Sequence, residues 1–134
     1  MIKLGSIVAA AMILAAGSAG AMEFEGLSRD DFAAWSYGVG SVQSNGSVRT
    51  LVVKALYNTP TQFSANTPPV SWSLHNASID CAAKTTTFIS GANYGVNGQE
   101  LYPANPGQPT PWSAATPGLL DFVTQVCATD WSKM

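Results

Sequence analysis

The chain has 134 residues, of which 46% are hydrophobic and only 10% are charged, and its formal net charge is −2. Nucleic acids and anionic membranes attract proteins through concentrated positive charge, and this sequence has no basic cluster, so both are poor candidates as partners. The low charge density, together with abundant Ser, Thr, Asn, Gly and Pro, favours an exported protein that is rich in β-strands and loops.

The first 21 residues have the three parts of a secretory signal peptide. Lys3 supplies positive charge, residues 7–16 form an apolar run, and Ala19-Gly20-Ala21 has the small side chains that signal peptidase accepts. The apolar run is too short to span a bilayer comfortably, which disfavours an uncleaved anchor. We therefore expect cleavage near Ala21, a periplasmic or secreted location without membrane insertion, and one mature domain over residues 22–134.

The first part of the mature chain predicts one hairpin. Residues 23–32 are expected to be a polar lead, in which a short helical turn starts with Ser28 as its N-cap and Asp31 at the third helical position. Val39 and Val42 then alternate with small residues, which indicates a first strand. Asn45-Gly46 is the clearest hairpin signal because both residues tolerate a positive φ angle. The β-branched run over residues 49–57 predicts a strand on the far side of that turn.

A loop and two further strands are predicted next. Three prolines within residues 60–69 indicate the loop. Strand-like alternation resumes over residues 70–75, and a turn or a bulge is expected at residues 76–78. A strand is then predicted over residues 79–89, with the side chain of Cys81 directed toward the core.

The last part of the chain predicts a hairpin, a loop and a helix. Asn97-Gly98 is a second hairpin signal, and Leu101-Tyr102 indicates a short return strand. Four prolines within residues 103–111 exclude a helix or a central strand there. Thr116-Pro117 combines an N-cap with proline at the first helical position, and helical spacing of apolar residues continues to Cys127. The predicted fold is α+β, mainly β: an antiparallel strand meander with one C-terminal helix packed on the sheet.

Cys81 and Cys127 are the two cysteines of the chain. In an exported protein they are most simply one disulfide, which would attach the final helix to the sheet. Closing a loop of this length stabilises the fold by about 4 kcal/mol. The alternative is two free thiols that act as a redox pair, although such pairs are usually close in sequence, as in Cys-x-x-Cys.

Few residues suggest catalysis. His75 is the single histidine, and no nucleophile motif such as Gly-x-Ser-x-Gly accompanies it, so we interpret it as a surface or edge-strand residue. We therefore expect no enzyme activity, no metal site and no cofactor. Trp112 beside the proline-rich segment, together with Tyr102 and Tyr94, is the best candidate for an exposed aromatic binding surface.

The order of several short motifs resembles the surface-adhesin protein E-like family of exported bacterial domains. The matching residues are Asp80-Cys81, Lys84-Thr85, Tyr94, Gly98, Trp112, Pro117-Gly118 and Cys127. The resemblance covers about residues 35–127 and implies a small sheet with a packed helix and one disulfide, and the name of the family implies adhesion to host surfaces. The chain departs from the family at Lys84, where arginine is more frequent, and it lacks the lipidation cysteine of the adhesin that names the family.

These observations favour an exported, non-catalytic binding or interaction module, adhesin-like, with a host or envelope protein as its partner. Such a module is expected to expose an aromatic or edge-strand patch. The alternatives are a structural or assembly component of the bacterial envelope, which predicts co-purification with a partner, and a small enzyme inhibitor, which needs a protruding loop such as residues 103–111. A small hydrolase would require carboxylates, or His75 with a partner, converging in a cleft.

Overall fold

The structure, a computed structural model, describes residues 22–133. The predicted signal peptide lies outside these residues. Within them the chain forms one antiparallel sheet of eight strands and one α-helix that packs on it, so the predicted fold class is confirmed. No helix in this range is both long and apolar enough to cross a membrane.

The sheet is a meander in which strands that follow one another along the chain are mostly neighbours. The strands are β1 (Phe24–Arg29), β2 (Ala33–Gly38), β3 (Gln43–Asn45), β4 (Val48–Thr61), β5 (Val70–Asp80), β6 (Thr85–Tyr94), β7 (Glu100–Ala104) and β8 (Thr110–Pro111). Their order across the sheet is β1-β2-β4-β5-β6-β7, while β3 pairs with β4 and β8 pairs with β6 beside that path. The helix α1 spans Pro117–Ala128, with 3₁₀ turns at Trp112–Ala114 before it and Trp131–Lys133 after it.

The turn and cap residues act where the sequence predicts them. Gly46 has a φ angle of 62° between β3 and β4, and Gly98 has a φ angle of 81° between β6 and β7. Thr116 is the N-cap of α1, where its hydroxyl accepts a hydrogen bond from the backbone N–H of Leu119, and Pro117 begins the helix. Both predicted hairpins and the predicted helix start are confirmed.

Two predictions for the start of the mature chain are wrong. No helical turn begins at Ser28, because β1 runs through this residue and a tight turn follows it. In that turn Asp30 Oδ1 accepts a hydrogen bond from Phe32 N at 2.8 Å. Aspartate and serine satisfy the backbone in turns as well as at helix starts, so the same residues fit both structures. The predicted first strand is also displaced, since Val39 and Val42 lie between β2 and β3.

The strand predicted over residues 79–89 is interrupted by a four-residue turn that contains Cys81. Asp80 Oδ1 accepts hydrogen bonds from two backbone N–H groups of the turn, and Lys84 N donates to Asp80 O at 2.8 Å. Lys84 has a φ angle of 57°, which few residues other than glycine adopt, so the sequence gives little sign of this turn. The predicted disulfide between Cys81 and Cys127 is confirmed, and it joins α1 to the end of the central strand β5.

The main core lies between α1 and the sheet. The helix contributes three side chains that are at most 1% exposed, namely Phe122, Val123 and Val126. They pack against apolar residues of β2, β4 and β5, and burial of each side chain contributes about 1.5–3 kcal/mol. Gln125 Nε2 also donates to Leu27 O at 2.9 Å. The helix therefore lies mainly over β1 and β2, and the remainder of the same face extends beyond it over β5, β6 and β7.

Two segments pair with β6 along one edge of the sheet. β7 pairs with the second half of β6 and β8 with its first residues, while Gly107 N donates to Phe88 O at 2.8 Å between them. Residues 103–111 therefore form neither a helix nor a central strand, as predicted, and Pro103 and Pro111 lie in the short strands of this edge. The segment follows β6 and is held to it by backbone hydrogen bonds.

Candidate binding pocket

A pocket of about 450 Å³ opens on the helix-facing side of the sheet, beside α1. Strands β5 and β6 form its floor, β7 forms one side, and the 3₁₀ turn at Trp112–Ala114 and the start of α1 form the other. Pockets of this volume accept organic ligands of drug-like size. The pocket therefore occupies the part of this face that the helix leaves uncovered.

A β-bulge brings the floor residues onto one side of the sheet. The register between β5 and β6 shifts beside Asn76 and leaves Ile89 without a partner. A bulge of one residue reverses the alternation of side chains along the strand. Thr86 and Phe88 before the bulge and Asn93 after it consequently line the same pocket. The sequence predicts a turn or a bulge at residues 76–78. The structure has a bulge there, and its extra residue lies in the paired strand β6.

His75 lies in the pocket on the central strand β5 and is partly buried, not on the surface or on an edge strand as the sequence suggested. Its ring centroid is 4.6 Å from that of Phe88. Gly91 lies opposite and leaves room for the ring, since an added Cβ would overlap Leu74 O and lie 2.9 Å from His75 Nδ1. Burial lowers the pKa of His75 from 6.5 to about 4, so the imidazole is neutral at about pH 7.

Three hydrogen-bonded side chains cross the floor. Ser73 Oγ donates to Asn93 Oδ1 at 2.6 Å, and Tyr57 Oη lies 2.9 Å from the same Ser73 oxygen. Because Ser73 has a single hydroxyl hydrogen, it accepts from Tyr57 while it donates to Asn93. Burial raises the pKa of Tyr57 above 10, which keeps this donor protonated. A satisfied chain of this kind fixes the positions of its members.

Aromatic rings form most of the apolar lining. The rings of Trp35 and Phe88 are nearly parallel, with an interplanar angle of 14° and centroids 6.5 Å apart. Tyr57 contacts Phe32 and Phe63, with centroid distances of 5.2 and 5.4 Å. Phe32 and Phe63 are exposed, so they lie at the rim of the pocket. The lining thus presents flat apolar surfaces from several strands.

Several residues that line the pocket have a buried polar atom without a hydrogen-bond partner. Within residues 22–133, six buried side-chain nitrogen or oxygen atoms lack a hydrogen bond, and four of them belong to pocket residues: Trp35 Nε1, Thr86 Oγ1, Tyr102 Oη and Trp112 Nε1. A buried polar atom without a partner costs about 1–3 kcal/mol. None of the described lining residues is Asp, Glu, Lys or Arg, and no group of three or more His, Cys, Asp or Glu residues suited to a metal occurs in the described range.

The structure brings together two of the three aromatic residues that the sequence singled out. Trp112 and Tyr102 line the pocket and are partly buried. Tyr94 lies on the opposite face of the sheet, where it is 7% exposed and stacks on Trp72 with ring centroids 4.0 Å apart. Lys54 Nζ lies 4.8 Å from the Trp72 ring centroid, so this second cluster is distinct from the pocket.

Sequence reasoning missed most of the residues that line the pocket. Trp35, His75, Thr86 and Phe88 were not singled out as site residues, although all four line the pocket. A usable signal was present in β5, where Ser73 and His75 interrupt a buried strand on the side that carries the core. Polar residues on a buried face usually have a structural or functional partner. Here Ser73 pairs with Tyr57 and Asn93, and His75 lines the pocket.

Comparison with models of protein families, with curated proteins and with solved structures finds no match to this chain. The resemblance to surface-adhesin E-like domains therefore stays a prediction. The pocket, with its uncharged lining and its unpartnered donors, is the feature from which a function can be inferred.

Proposed function

We propose that this protein is an exported, non-catalytic binding module of the surface-adhesin E-like kind, and that the pocket beside α1 is its binding site. The observation that carries the proposal is the concentration of four unpartnered polar atoms around an uncharged, aromatic pocket. Sites for small organic molecules combine these features, since apolar rings supply contact area and a few polar groups fix orientation.

The chemistry of the lining supports binding in preference to catalysis. Its polar groups are indole, hydroxyl and amide groups, which hold a ligand by hydrogen bonds. A general base at neutral pH works best with a pKa near that pH. Burial holds the pKa of His75 at about 4, so this imidazole attracts a proton weakly at about pH 7.

Two features support export. The first 21 residues have the sequence of a signal peptide. The bond between Cys81 and Cys127 belongs to a class of cross-link that persists in oxidising compartments. Expression of the full chain, followed by cell fractionation, is expected to place the shortened protein in the periplasm or the medium. Attachment to a host or envelope protein is a separate prediction, which pull-down with the mature domain tests.

Screening of uncharged aromatic fragments by ligand-observed NMR tests the binding function. We expect several fragments to bind the mature domain and to lose binding in Ala114→Trp, because Ala114 is an exposed residue of the pocket wall that a larger ring would fill. Ala82→Trp is the matched control, since Ala82 is also exposed and lies in the turn after β5, outside the pocket. The proposal would be contradicted if no fragment bound the mature domain, or if the fragments bound both variants equally well.

A further inference from the structure

We infer that the ligand of this pocket, if the binding function proposed above holds, is a neutral, planar molecule that carries a carbonyl oxygen. Charge, hydrogen-bonding capacity and shape of the lining each restrict the ligand. Together they separate this class from anions, from cations and from sugars.

Charge excludes ionised ligands. A carboxylate or ammonium group that enters the pocket would leave water and would find no oppositely charged side chain among the described lining residues. Burial of an ion without such a partner is strongly unfavourable. His75 supplies no compensating positive charge, because burial keeps its ring neutral at about pH 7.

The unpartnered atoms select hydrogen-bond acceptors. Trp35 Nε1 and Trp112 Nε1 have no partner, and an indole N–H donates only. Thr86 and Tyr102 add two hydroxyl groups, whereas the amide oxygen of Asn93 already accepts from Ser73. The two indole groups, which cannot accept a hydrogen bond, therefore need an acceptor atom from a ligand. A carbonyl oxygen, which accepts two hydrogen bonds and donates none, supplies this acceptor, whereas each hydroxyl group of a sugar also brings a donor that needs its own partner.

These four atoms are shielded from solvent in this arrangement. Binding through them therefore requires a lining side chain to turn, and we assign this movement to Trp112, which lies in a 3₁₀ turn at the pocket side and is only partly buried. The gain of hydrogen bonds by atoms that had none favours this rearrangement.

Shape favours a flat ligand. Trp35 and Phe88, whose rings are nearly parallel, both line the pocket, and aromatic rings prefer offset-stacked or edge contacts with other rings. A pocket of about 450 Å³ has room for a fused two-ring molecule with a small substituent.

Three naphthalenes substituted at the same ring position test the inference: acetylnaphthalene is neutral with a carbonyl, ethylnaphthalene has no acceptor, and naphthoate is an anion. Dissociation constants are measured for the mature domain by titration at about pH 7. We expect acetylnaphthalene to bind at least about tenfold more tightly than either of the other two compounds, because its carbonyl oxygen gives a buried donor the hydrogen bond that it lacks.

Proton–nitrogen NMR spectra give a second readout, because each of the four tryptophans has an indole N–H resonance. Acetylnaphthalene is expected to shift the indole signals of Trp35 and Trp112. The signals of Trp131, whose Nε1 already donates to Val126 O at 2.8 Å, and of Trp72, which lies on the other face, serve as internal controls. Shifts confined to Trp72 or Trp131 would overturn the inference.

Trp112→Phe removes one donor and keeps an aromatic ring. It is expected to weaken acetylnaphthalene several-fold and to leave ethylnaphthalene unchanged, while Trp72→Phe alters neither. Equal affinity for the acetyl and ethyl compounds, or tightest binding of naphthoate, would overturn the inferred ligand class and leave the binding function standing. Absence of binding by all three, together with failure of the fragment screen, would overturn the binding function itself.

Discussion

Replacement of Asp30 by asparagine is expected to destabilise the fold, because this carboxylate joins the β1–β2 turn to the start of α1. Asp30 Oδ1 accepts from Phe32 N and Ala33 N at 2.8 and 2.9 Å, and Oδ2 accepts from Gly118 N at 2.7 Å, 88 residues along the chain. Asparagine has one carbonyl oxygen, so it retains the turn but presents an amide N–H₂ group to Gly118, which is also a donor.

The pKa of Asp30 indicates the size of the effect. Partial burial alone would raise it, but hydrogen bonds from the hydroxyl of Thr116 and from the backbone of Ala33, Gly118 and Phe32 outweigh burial and hold the pKa at about 2 instead of 3.8. A difference of this size corresponds to about 2.5 kcal/mol without screening. Solvent reaches part of the side chain, so we expect Asp30→Asn to lower the free energy of unfolding by about 1–2 kcal/mol.

The pH dependence follows from the direction of the pKa difference. A carboxyl whose pKa is lower in the folded than in the unfolded state stabilises the fold fully above the unfolded value, 3.8, and loses this contribution as the pH falls toward about 2. Urea unfolding of wild type and Asp30→Asn, followed by tryptophan fluorescence across this range, measures the difference. The two proteins are expected to differ most at about pH 6 and to converge at about pH 2.

Asp31→Asn is the matched control for this experiment. Asp31 is the exposed neighbour of Asp30, so its replacement removes the same charge and is expected to change stability by less than about 0.5 kcal/mol. A constant difference between wild type and Asp30→Asn at every pH, or an equal loss in both variants, would refute the assignment of the effect to the bridging carboxylate.

Three further changes probe other parts of the fold. Gly91→Ala is expected to destabilise the fold by about 1–3 kcal/mol, because the new Cβ would overlap Leu74 O and crowd His75. Gly26→Ala is the control, since a Cβ at Gly26 has no atom within 4 Å. Equal melting temperatures for the two variants would contradict this account. Lys84→Gly is expected to raise the free energy of unfolding by about 0.5–1 kcal/mol, since glycine adopts a φ angle of 57° freely. Urea unfolding measures this change, and a loss of stability would contradict the explanation. Replacement of both cysteines is expected to lower the free energy of unfolding by about 4 kcal/mol, because the disulfide joins residues 46 apart in sequence. An unchanged urea midpoint would contradict this expectation.

Local signals with a single physical meaning predicted much of the fold. Glycine at a positive φ angle marked the turns at Gly46 and Gly98. Threonine followed by proline marked the start of α1. The helical turn predicted at Ser28 is wrong because serine and aspartate side chains, such as those of Ser28, Asp30 and Asp31, close turns as well as start helices. The turn at Cys81 was missed since Lys84, and not glycine, adopts the left-handed conformation.

The pocket depends on features that the sequence does not carry locally. The extra residue at Ile89 shifts the alternation of β6, so a strict period of two assigns residues beyond it to the wrong face. The sequence groups Tyr94 with Tyr102 and Trp112 only as aromatic residues, whereas the structure places it on the other face of the sheet. Whether an indole N–H has a partner also depends on contacts between distant strands, which only the folded chain reveals.

The prolines at the β6 edge have a consequence for behaviour at high protein concentration. Pro103 and Pro111 lie in the two strands that border this margin of the sheet, and proline has no N–H to offer an incoming strand. Copies of the chain that meet side by side there cannot extend an uninterrupted hydrogen-bond ladder from one molecule into the next. Edge-to-edge polymerisation through this margin is therefore disfavoured when copies of the chain are crowded together.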